Sequence, residues 1–169
     1  QYKIVDSRFI NVKSDAIDSD FSDGIISRTT FEIIGNDAID LSGSNAEINN
    51  ISINGVGDKA ISAGENSTLK GTSVAVMNAE IAITSKDLSV VDLTDITISD
   101  TKLGFAIFQK KKEFGAGRAT VKDFSMNSVS QIHLVGTTSL LSINGEEVTD
   151  KRKNVAGLLY GAIYGKSSK

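Results

Sequence analysis

The sequence predicts an all-β fold, a parallel β-helix of about six coils, and three observations predict it. Related segments recur at nearly constant spacing. Each repeat is made of short apolar–polar alternations. Proline is absent from all 169 residues.

The repeat comes first. Ser14-Asp15-Ala16-Ile17-Asp18 returns 22 residues later as Asn36-Asp37-Ala38-Ile39-Asp40, and the same offset pairs Ile4 with Ile26, Phe9 with Phe31 and Val12 with Ile34. Two more steps of 22 reach Asp58-Lys59-Ala60-Ile61-Ser62 and Glu80-Ile81-Ala82-Ile83-Thr84. Gly104-Phe105-Ala106-Ile107-Phe108 then follows at 24, and a weaker copy, Ile132-His133-Leu134-Val135, at 28. The anchors Ile17, Ile39, Ile61, Ile83, Ile107 and Val135 are expected to form one column. Leu69, Leu93 and Val121 form a second, and Val74, Ile98 and Met126 a third, with spacings of 24 and then 28.

Within each period, alternation as in Ile48-Asn49-Asn50-Ile51-Ser52-Ile53 marks strands. Clusters such as Gly43-Ser44-Asn45 and Asn54-Gly55 mark the turns between them. A period of 22 to 28 is too short for a propeller blade of about 40 residues and lacks the frame of a leucine-rich repeat. Stacked coils repeat every ~4.8 Å, so equivalent Ile and Val residues form interior ladders. Proline would delete a ladder hydrogen bond, which accounts for its absence. Residues 1–149 are therefore assigned to the solenoid.

Residues 150–169 break the pattern. Val155, Leu158, Leu159, Ala162 and Ile163 follow helical spacing and predict one amphipathic helix of about three turns. Gly157, Gly161 and Gly165 lie four apart, a spacing that also suits a close helix–helix contact. The segment is taken as a cap over the open end of the solenoid, where apolar side chains and strand edges need cover.

Composition excludes several functions. There is no Cys, so no disulfide, thiolate metal site or Cys nucleophile. One histidine, His133, excludes a His-cluster metal site and is read as structural. A net charge of −3 argues against nucleic acid as the main partner. No apolar run approaches the ~20 residues of a membrane span. No G-x-S-x-G frame occurs, and Gly55-x-Gly57 opens no phosphate loop. The sequons Asn50-Ile51-Ser52 and Asn66-Ser67-Thr68 matter only in a eukaryotic source. Gln1-Tyr2-Lys3 already lies inside a patterned segment, as expected of a piece of a longer protein.

The coils resemble the right-handed parallel β-helix of the pectin-lyase-like superfamily, over residues 1 to about 145. Three stretches carry a narrower likeness: Phe9-Ile10-Asn11-Val12-Lys13-Ser14-Asp15-Ala16-Ile17-Asp18-Ser19-Asp20-Phe21-Ser22, Gly57-Asp58-Lys59-Ala60-Ile61-Ser62-Ala63-Gly64-Glu65-Asn66-Ser67, and Gln109-Lys110-Lys111-Lys112-Glu113-Phe114-Gly115. These resemble the C-terminal β-helix of large bacterial surface proteins related to the spore-coat H family. The resemblance implies an exported cell-surface protein with other domains as partners in a longer parent chain.

Two candidate sites stand out. Asp15 is expected above Asp37, and Asp18 above Asp40. Carboxylates ~5 Å apart repel by about 1 kcal/mol in water and about 3 at an effective dielectric near 20. A Ca²⁺ ion or a shared proton would relieve that. The alternatives are a solvated face of turn residues, or an acid–base site acting on a uronic acid with Lys59 nearby. For catalysis the superfamily arrangement also wants an Arg on a neighbouring coil; the arginines are Arg8, Arg28, Arg118 and Arg152, and Arg8 and Arg28 lie on different columns from the acids.

The second candidate is the basic insertion of the fifth coil. Phe108, Lys110, Lys111, Lys112, Phe114 and Arg118 could contact a polysaccharide by stacking and charge. A solvated lysine loop is the alternative. The sequence-level function is thus a non-catalytic surface module, structural or glycan-binding. The rival is a polysaccharide lyase, hydrolase or epimerase fragment at the Asp ladder. A flat-face ice-type binder would need regular Thr ladders, which Thr84 and Thr97 do not make.

Overall fold

A computed structural model describes residues 1–161 and 164. It is a nearly all-β parallel solenoid of about six turns, with 69% of residues in strands and 3% in helix. The first coil holds β1 (Tyr2–Val5), β2 (Arg8–Val12) and β3 (Ile17–Asp20), and the second holds β4 (Gly24–Ile34) and β5 (Ile39–Ser42). From there each coil is one strand that bends through its corners: β6 (Asn45–Gly64), β7 (Thr68–Lys86), β8 (Val90–Phe108) and β9 (Arg118–Val135). β10 (Leu140–Ile143), β11 (Glu146–Glu147) and α1 (Val155–Leu159) follow.

Three inward columns run along the axis. The first is Ile4–Ile26–Ile48–Gly71–Leu93–Val121–Ile143. The second is Phe9–Phe31–Ile53–Val76–Ile98–Met126, opened by a stacked pair of rings 5.1 Å apart. The third is Ile17–Ile39–Ile61–Ile83–Phe105–His133. Gly71 interrupts the first because a Cβ there would stand 2.4 Å from Ile48 Cγ1.

The third column corrects the expected register. Ile83 pairs with Phe105, 22 residues on, so Ile107 and Val135 belong to the neighbouring ladder with Ser85. The other two expected columns carry the same slip: Leu69 pairs with Val91, and Val74 with Ile96. The slip is two residues in every case. Side chains alternate with a period of two, so such a shift leaves each one on its own face, and alternation cannot detect it.

The corners explain how strands bend without proline. Asp6, Arg28, Asn50, Ser73, Asp95 and Asp123 share one corner, all with φ between 47 and 61°. Asp, Asn and Ser tolerate this left-handed region best. Arg28 does not favour it, and its guanidinium is tied to Asp6 at 2.6 and 2.9 Å. At another corner hydroxyls replace carbonyl acceptors: Ser22 N donates to Ser44 Oγ, Ser44 N to Ser67 Oγ, and Ser67 N to Ser89 Oγ, at 3.0 to 3.1 Å.

After β9 the chain adds β10 as a further rung and turns back through Asn144-Gly145, both at positive φ, into antiparallel β11. The helix then departs from its expected place. Val155 and Leu159 pack on Ile81, Leu103, Ala106, Phe108 and Leu134, on the outward flank of coils four to six rather than over the end. Asn154 caps α1 by accepting the Gly157 N–H at 2.9 Å. Leu158 points outward, 41% exposed, and the expected helical positions Ala162 and Ile163, with Gly165, lie outside the described residues. Among the described residues no helix is long and apolar enough to cross a membrane.

Candidate functional site

The third face carries its chemistry on the outward side, in three ladders. One runs Asp15, Asp37, Lys59, Ile81, Leu103, Gln131. The next runs Asp18, Asp40, Ser62, Thr84, Ala106, Leu134. In the third, Asp20 pairs with Ser42 and Ser42 with Gly64, while Lys86 pairs with Phe108. Along the axis the face therefore changes from acidic, through lysine and hydroxyl, to apolar. The C-terminal segment lies on the apolar part and reaches back over the lysines.

Where the two meet is a cleft of about 390 Å³, lined among others by Asp37, Asp58, Lys59, Lys86, Leu159 and Tyr160. Lys59 is only 6% exposed and Asp37 only 3%. Lys59 Nζ lies 2.6 Å from Asp58 Oδ2 and 3.6 Å from Asp37 Oδ1, and Asp37 Oδ1 also accepts the Lys59 N–H at 2.9 Å. Burial pushes Asp37 up to about 6, with Lys59 opposing and Asp58 adding to the rise. Burial also pulls on the Lys59 ammonium, but Asp37 and Asp58 outweigh it and hold its pKa above the ordinary value. Lys86 donates to Ser62 Oγ at 2.7 Å and sits 3.8 Å from Asp40 Oδ1. Its stem occupies the space over Gly64, where a Cβ would come within 2.8 Å of Lys86 Cε.

Of the four acids expected to share a cation, two are engaged by groups of the chain and two are adjacent rungs. Asp15 Oδ1 accepts from Asn36 Nδ2 and, at 2.8 Å, from the Asp37 N–H. Asp37 belongs to Lys59. Asp18 and Asp40 are adjacent rungs, and burial raises the Asp18 pKa, helped by Asp20, Asp40 and Asp15. Among the described residues no three His, Cys, Asp or Glu side chains form a group able to hold a metal ion.

The basic insertion is folded onto the body. Asp87 Oδ1 accepts the Lys110 and Lys111 N–H groups at 2.6 and 2.7 Å. Lys111 Nζ pairs with Glu65, and Gln109 Nε2 donates to Phe114 O. Lys110 Nζ sits 4.6 Å from the centroid of the Tyr160 ring. Phe108 is not available for stacking as expected: it is 1% exposed beneath α1, because it points outward on a face that the C-terminal segment covers. Phe114 is half-buried, while Lys110, Lys112 and Arg118 are exposed.

Sequence reasoning missed Asp58, Lys86, Tyr160 and Tyr164 as partners in one place. The signal for the cover was present in the unbroken apolar run Leu103-Gly104-Phe105-Ala106-Ile107-Phe108. A strand with one solvated face alternates, and one buried on both faces does not. In comparison with known proteins, no family model, curated protein or solved structure matches the chain. What the fold and the cleft define is thus a class, a parallel β-solenoid with a charged cluster beneath a flank-bound C-terminal segment.

Proposed function

We propose that the chain is a non-catalytic β-helix module of an exported bacterial surface protein, a rigid structural element that contacts glycans only weakly. We place it with the pectin-lyase-like β-helices and, more narrowly, with the surface proteins related to the spore-coat H family. The observation that carries the non-catalytic reading is the burial of its best acid–base pair. Asp37 and Lys59 are almost sealed, and both bond to groups of the chain itself, whereas a catalytic acid or base must reach its substrate. Elsewhere Asp87 and Glu65 are engaged by the insertion. Lys110, Lys112 and Arg118 remain for electrostatic contact with an acidic polysaccharide.

One observation favours the rival reading, a polysaccharide-active enzyme. Asp37 is pushed up to about 6 at the floor of a cleft, as a general acid would be. The deciding experiment is absorbance of unsaturated uronate products from pectate and alginate, with Ca²⁺ present. The expected result is no product. Product that Asp37→Asn removes would overturn the non-catalytic reading.

A further inference from the structure

We propose that Lys59 and Asp37 condense to a side-chain amide, a covalent cross-link between the second and third coils, with Asp58 carrying the proton. This goes beyond the structural role above, which stands whether or not the bond forms.

The geometry that points to it is specific to one pair. Among the ion pairs of the described residues, only Lys59–Asp37 has both side chains closed off, at 7% and 5% exposure, with a second carboxylate on the same nitrogen. Lys86–Asp40 is looser, its acid 30% exposed, and Lys111–Glu65 and Arg8–Glu32 are more open still. The Asp37 carboxylate is held in place by the Lys59 N–H, so the lysine reaches back to the group its own backbone orients. Lys59 Nζ stands 3.6 Å from Asp37 Oδ1, and holding the two groups side by side in one fold supplies the proximity that an intermolecular reaction lacks.

The step balances without a co-reactant. Within the ion pair one proton passes from the ammonium to Asp37, giving an amine and a carboxylic acid. Asp37 and Asp58 together favour the ammonium, so this transfer runs uphill and precedes the bond-forming step. The Nζ lone pair adds to the Asp37 carboxyl carbon and forms the C–N bond. Asp58, 2.6 Å from Nζ, takes a proton from the nitrogen and delivers it to the departing hydroxyl. The C–O bond breaks, one water leaves, and nothing is oxidised or reduced. The amide carries no charge, so the desolvation cost of the buried pair is removed, and exclusion of water slows the reverse reaction.

The test is the intact mass of the purified full chain, followed by tryptic mapping. The expected mass is that of the sequence less one water. Trypsin should fail to cut after Lys59, and a branched peptide should join the segments bearing Asp37 and Lys59. Lys59→Arg and Asp37→Ala should each restore the full mass, which is readable even if a variant does not fold. Asp58→Asn should close the bond about a hundredfold more slowly, the usual scale of general acid–base assistance. A wild-type mass equal to that of the sequence, with normal cleavage after Lys59, overturns the proposal. So does a water lost as a succinimide at Asp23-Gly24, which leaves Lys59 cleavable. Closure of Asp58→Asn at the wild-type rate contradicts the proton-carrier role. None of these outcomes depends on the glycan assay.

Discussion

The outward side of the third face is charged in coils one to three and at Lys86 of the fourth, and apolar at Ile81 and through coils five and six, yet the same C-terminal segment covers the junction of both. Ile81, Leu103, Ala106, Phe108 and Leu134 meet Val155 and Leu159 as an ordinary hydrophobic contact. Asp37, Lys59 and Lys86 meet Tyr160 across a polar cleft. The difference separates two jobs. Apolar burial is non-directional and supplies the holding energy. The charged cluster has one good geometry only, so it fixes where along the axis the segment stops. A buried ion pair gives little net stability, and its value lies in penalising wrong arrangements.

The largest effect should come from the shared floor beneath both halves. Ile61→Asp places an unpaired carboxylate in the third inward column, at a cost of several kcal/mol, comparable to the whole stability of a domain. The expected outcome is no cooperative melt by circular dichroism. Next come the two halves themselves. Phe108→Ala should lower stability by about 3–5 kcal/mol, through lost contact and a cavity under α1. Lys59→Met alone should cost a similar ~3–5 kcal/mol, because it leaves Asp37 buried without its partner. The halves then diverge. Adding Asp37→Leu to Lys59→Met should recover the part of the loss that comes from the orphaned Asp37 carboxylate in denaturant titrations, since an apolar pair can replace an ionic one. No polar pair should rescue Phe108→Ala.

A smaller effect lies at the insertion. The Lys111 and Ser42 hydrogen bonds hold the Glu65 carboxyl below its ordinary value of 4.5. A lowered folded-state pKa gives stability that is present above pH 4.5 and lost as the pH falls through the folded value. The protection factors of the Lys110 and Lys111 amides should therefore fall in acid, and Glu65→Gln should show the lower protection already at neutral pH. Smallest of all, Arg8→Ala should leave the melting temperature within experimental scatter, because its pair with Glu32 is open to solvent. Millimolar Ca²⁺ should likewise leave it unchanged, since Asp15 and Asp37 are engaged by groups of the chain and the described residues form no group of three acids.

The inward columns of this solenoid are legible from spacing alone, because each coil repeats the same apolar anchors. What was not legible has definite physical reasons. The two-residue slip at Phe105 preserves every side chain's face, so a pattern of alternation fits both registers. Phe108 reads as a loop aromatic because lysines follow it closely, but its place on a covered face decides its burial. The serine corner left a trace in Ser44, Ser67 and Ser89, 23 and 22 residues apart, although polar residues at turns carry little weight in a sequence. Lys59 and Asp37 were visible as neighbours. Their burial was not, because it depends on where α1 settles.

That placement is the central claim, and a single thiol tests it most directly. The chain has no cysteine, so Ala106→Cys introduces one reporter at a position with no solvent exposure, on the flank beneath Leu159. The measurement is its rate of reaction with a thiol reagent under native conditions, beside Ala16→Cys, half-buried in the first coil. The account predicts a protected thiol at 106 that becomes reactive when Leu159→Asp is added. A thiol at 106 that reacts as fast as the one at 16, with Leu159 intact, would contradict it.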